Sequence, residues 1–82
     1  MSIAELRAAF EVVLQHLGAA GHHARGARER LTETHEVLDD LSRDHQGSLV
    51  PPELAKATDM LERVLAALAE GSDAVESFSS AL

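Results

Sequence analysis

Cysteine, tryptophan and tyrosine are absent from this chain, and its only aromatic rings besides the histidines belong to Phe10 and Phe78. Without cysteine, no disulfide can brace the fold. A chain of 82 residues buries a small fraction of its surface and ordinarily needs a disulfide, a metal or a partner chain. The composition favours the partner. Its apolar content of 45% is mostly Ala, Leu and Val, a palette that suits helix packing and suits a sheet or a ligand pocket poorly.

Basic charge is also scarce. Lys56 is the one lysine, and the formal net charge is −7, which argues against binding nucleic acid, since that rests on neutralising phosphates. The same charge argues against an anionic membrane surface. No stretch approaches the roughly 18 apolar residues of a spanning helix, and no basic region followed by an apolar one marks a signal peptide. A cytoplasmic location is expected, or alternatively export without a cleaved signal peptide.

What the sequence holds in abundance is helical periodicity. Ser2 and Glu5 fit the S-x-x-E capping box of a helix start. Ile3, Leu6, Phe10, Val13, Leu17, Ala20, Ala24, Ala27, Leu31, Thr34, Leu38 and Leu41 then follow at alternating spacings of three and four, the seam of a coiled-coil-like helix. It passes unbroken through "LGAAGHHARGARER". The punctuation falls at "DHQGSLVPPE", where Gly47 suits a left-handed helix stop and Pro51 and Pro52 suit the first turn of a new helix. A second seam follows: Leu54, Ala57, Leu61, Val64, Leu68, Gly71, Val75, Phe78 and Leu82. The pattern predicts one all-α domain over 1–82, an antiparallel hairpin of helices at about 3–44 and 52–81 with a turn at 45–51. The competing fold is a bundle of three or four shorter helices broken near Gly18–Gly21 and Gly71, because each helix-interior glycine costs roughly 1 kcal/mol relative to alanine.

Setting Leu41 opposite Leu54 makes facing residue numbers sum to about 95. Large side chains then meet at both ends of the hairpin and small ones at its waist, where Ala24 meets Gly71. His22, His23, Arg25 and Arg28 fall opposite Glu70, Asp73 and Glu76, so charge and apolar pattern point to the same alignment. In that register Ile3, Leu6 and Phe10 project beyond the second helix, while Met60 and Leu65 widen its apolar face beyond a narrow seam. Burial of such side chains is worth roughly 1.5 to 3 kcal/mol each. Ile3, Leu6, Phe10, Met60 and Leu65 are therefore the expected partner interface, covered in a homodimeric four-helix bundle or by another helical protein.

Chemistry is weakly represented. His22 and His23 are successive helix positions, about 100° apart, and do not aim at one ion; with Asp73 from the facing helix, one of them makes a weak metal candidate. No second histidine stands four residues away, and the E-x-x-H spacing of di-iron bundles is absent. His35 with Asp39 and Glu36 with Asp40 are pairs that ordinarily affect only their own helix. The serines gather near the turn and in "ESFSSAL", with no base or recess beside them, and no phosphate-cradling glycine loop occurs. The expectation is a protein without catalytic residues, cofactor or small-molecule substrate.

Taken together, the length, the paired long helices, the acidity and the lack of cysteine resemble the small helical-hairpin proteins of type VII secretion, the Trp-X-Gly family and its helical partners. The family's turn carries Trp-X-Gly, where this one reads "DHQGSLVPP", and its export signal uses a tyrosine that this chain lacks. The resemblance implies a companion that pairs with a secreted toxin's helical domain. The reading of the residues is a non-enzymatic helical interaction protein; the alternatives are a small metal- or ligand-responsive regulator built on His22 and His23, or an antitoxin acting by helix packing.

Overall fold

The computed structural model describes residues 1–82 as two antiparallel helices, α1 (Ile3–Ser42) and α2 (Pro52–Ala81), with no strand. Both run without interruption through their glycines, so the bundle of shorter helices broken near Gly18–Gly21 and Gly71 is not formed. The helices extend the molecule to 65 × 14 × 14 Å, a rod two helices wide.

Each boundary has a local cause. Ser2 is the N-cap of α1 and its Oγ accepts a 3.0 Å hydrogen bond from the Glu5 N–H, the forward half of the capping box. Helix α1 ends two residues earlier than expected. There Ser42 ties the turn together: its Oγ donates to the Leu38 carbonyl at 2.7 Å and accepts from the Leu49 N–H at 2.8 Å. Gly47 does adopt a left-handed conformation, φ 88°, but it lies within the turn, five residues past the helix, rather than capping it. Pro52 opens α2 in the first helical turn, where its missing N–H costs nothing.

The seam between the helices differs from the expected one in phase. On α1 the half-buried or buried residues are Leu6, Phe10, Leu14, Leu17, Gly21, Ala24, Gly26, Arg28, Leu31, Leu38 and Ser42; on α2 they include Leu54, Ala57, Thr58, Leu61, Leu65, Leu68, Gly71, Ser72, Val75 and Ser79. One expected heptad position holds throughout, at Leu17, Ala24 and Leu31 or at Leu61, Leu68 and Val75. The other is displaced by one residue: Leu14 takes the place of Val13, Gly21 of Ala20, Arg28 of Ala27, Leu65 of Val64 and Ser79 of Phe78. Gly21 therefore lies in the seam rather than beside it.

The register is also corrected. Arg28 Nη1 donates to both carboxylate oxygens of Glu62 at 3.2 Å, so facing residue numbers sum to about 90. The groove lined by Leu17 and Gly21 of α1 and Leu68 and Ser72 of α2 agrees. Helix α2 thus reaches further along α1 than the sequence pattern implies, leaving Phe10 half-buried and Ile3 exposed. The expected charge clusters do not pair. Across the helices the ion pair is Arg28 to Glu62, while Glu70, Asp73 and Glu76 form none. The waist is the tightest part of the hairpin, since Gly21 and Ala24 are its two buried residues.

Candidate interaction surface

The displaced heptad position determines what the hairpin shows to its surroundings. On α1, Val13 and Leu41 are 42% and 57% exposed; on α2, Val64 and Phe78 are 46% and 68% exposed. Each stands one position before a seam residue. In an antiparallel pair the two helices are viewed from opposite ends, so residues that precede the seam fall on the same side of the hairpin from both helices. The opposite groove confirms the geometry: there the neighbours that follow seam residues, Gly18, Arg25 and Ala69, line one depression, and Thr32 and Ala55 line another.

The side that Val13, Leu41, Val64 and Phe78 share is completed by small residues. Ala20, Ala27 and Thr34 lie between Val13 and Leu41, and Gly71 lies between Val64 and Phe78. Farther round α2 the next heptad position reads Met60, Ala67, Ala74 and Ala81, whereas on α1 it reads His16, His23, Arg30 and Val37 and gives the stripe a polar edge; Met60 and Val37 are among the exposed large apolar residues. The result is an apolar stripe from both helices, bulky near its ends and flat at its middle. The groove on the other side carries Arg25, Arg28, Glu62 and Thr32 beside Leu17, Leu31, Leu65 and Leu68.

Of the five residues expected at an interface, Met60 is exposed on this stripe, and Leu6, half-buried, lies at its end at the start of α1. Ile3 is exposed beside Leu6. Phe10 and Leu65 instead occupy the seam within the hairpin, half-buried, because the register and the phase differ from those the apolar pattern implied. The residues missed were Val13, Val64 and Phe78, which sequence periodicity had assigned to the interior. Their signal was adjacency: Val13 with Leu14 and Val64 with Leu65 supply an apolar residue to two faces at once.

The metal candidates are not brought together. His22 and His23 meet edge to face with ring centroids 5.9 Å apart and line a shallow depression with Gly26, Ala27 and Arg30, which contains no carboxylate. The register sets Asp73 about level with Leu17. No group of three or more His, Cys, Asp or Glu side chains is placed to hold a metal ion. No helix is long and apolar enough to cross a membrane. The fold and surface define an all-α helical hairpin with one apolar side; no protein-family model, curated protein or solved structure matches the chain.

Proposed function

We infer that this chain is a non-enzymatic helical interaction protein that works by packing the apolar side of its hairpin against another helical surface. One observation carries the reading. Large apolar side chains from both helices are exposed along one side, while the only buried apolar side chain within the hairpin is that of Ala24. Contiguous apolar patches of this extent are characteristic of interaction sites, and two amphipathic helices without a third layer lack the core of a stable domain. The surface suits helices laid side by side, with side chains at heptad spacing. A secreted toxin's helical domain, as the likeness to type VII helical hairpins implies, is one partner of this chemistry.

The test compares the tagged full chain with a Val64→Glu/Phe78→Glu variant, each recovered from cells of the organism that makes it. The expected outcome is a stoichiometric helical protein, or a second untagged copy of the chain, retained by the wild type and lost by the variant. Recovery of both chains alone, as stable folded monomers, would overturn the reading.

A further inference from the structure

We propose that the occupant of the apolar stripe is a second copy of this chain, related by a two-fold axis perpendicular to the helices, so that the two turns lie at opposite ends of a four-helix bundle. This rests on the interaction reading above and specifies its partner. Three features of the stripe are self-complementary under that operation.

The first is size. Turning α2 over onto α2 of the second copy, so that residue numbers sum to about 135, sets Phe78 against Ala57 and Val64 against Gly71. Large meets small at each level, as interdigitating layers require. The second is the position of the axis. On α1, setting the small pair Ala20 and Ala27 against each other brings Leu6 against Leu41 and Val13 against Thr34 of the second copy. The midpoint between Ala20 and Ala27 is level with the midpoint between Val64 and Gly71 in the register fixed by Arg28 and Glu62. Both helices thus place the axis at one height.

The third is charge. The same operation brings Arg63 against Glu70 of the second copy, twice by symmetry, and neither residue has an ion-pair partner within its own chain. If the turns lay at the same end instead, Arg63 would fall beside Arg30, a like charge. The area is sufficient as well. One face of a rod 65 Å by 14 Å covers about 900 Å² in plan, against about 800 Å² per partner in a standard stable interface. The arrangement also covers the first turns of α1: Leu6, and Ile3 beside it, reach the turn end of the second copy.

The experiment uses the full chain and exploits its lack of cysteine. Sedimentation equilibrium at micromolar concentration is expected to give a dimer. Ala67→Cys, a residue on the axis, is expected to be joined to its counterpart by a short bis-maleimide, whereas Gln46→Cys in the turn is not. Arg63→Glu and Glu70→Arg each weaken dimerisation roughly tenfold, and the double swap restores it. Ala66→Glu, an exposed site on the opposite side of α2 from the stripe, leaves the dimer intact and controls for added charge. A monomer at all accessible concentrations overturns the proposal while the interaction reading keeps its own test. A dimer that crosslinks through Gln46→Cys, or that the double swap fails to restore, overturns the arrangement.

Discussion

At the scale of single residues, the glycines divide by what surrounds them. A Cβ added at Gly18 or Gly26 meets nothing within 4 Å, and both positions have ordinary helical backbone inside α1. Alanine there removes conformational freedom from the unfolded chain without a steric cost. Gly18→Ala and Gly26→Ala are expected to raise stability by about 0.5 to 1 kcal/mol each, read from the midpoint of urea denaturation at fixed protein concentration. Gly47→Ala should move the midpoint the other way by about 1 kcal/mol, since φ is 88° there and a side chain is strained in that region. Gly21 shows why burial alone does not explain a glycine. Its Cβ position faces the Arg25 guanidinium, 3.5 Å away, so what covers this residue includes a flexible side chain one turn ahead, and the tight waist does not depend on glycine at that position.

At the scale of elements, the helices and their turn were legible in the sequence because their signals are local. Ser2 caps, Pro52 opens and the heptads persist. What the sequence did not resolve was which of two apolar stripes faces inward. Val13 and Leu14, or Val64 and Leu65, offer equivalent side chains to adjacent faces, and no tryptophan or tyrosine anchors one choice over the other. The register was lost for a related reason. Acidic residues stand in two groups on this part of α2, at 59 and 62 and at 70, 73 and 76, so the basic residues from His22 to Arg28 find a carboxylate opposite one of them whether facing numbers sum to about 90 or about 95. The turn supplies the missing constraint through Ser42, whose hydroxyl links the last turn of α1 to Leu49. Ser42→Ala removes both bonds and is expected to cost about 1 kcal/mol. It should also speed hydrogen exchange at the Leu49 amide relative to the amides of mid-helix residues such as Leu31; unchanged exchange there would show that the Ser42 hydroxyl does not hold the turn.

At the scale of the whole molecule, the decisive quantity is how little the hairpin buries. A rod two helices wide has no third layer, and the side chains between α1 and α2 remain half-exposed apart from the Gly21 and Ala24 level. Apolar burial is the main favourable term in folding, against a conformational entropy of comparable size, so this hairpin on its own is a marginal structure. Association through the stripe adds the missing layer and couples folding to concentration, because any partner that binds only the folded chain stabilises it by mass action. Thermal melting followed by circular dichroism at 222 nm is therefore expected to shift upward as the chain is raised from about 1 to 100 μM. Val64→Glu and Phe78→Glu should flatten that dependence and lower the melting temperature at every concentration, whereas Ala66→Glu, on the opposite side of α2, should preserve the slope. A melting temperature independent of concentration, with full helicity at the lowest, would mean that the half-buried seam is by itself enough to hold the two helices together.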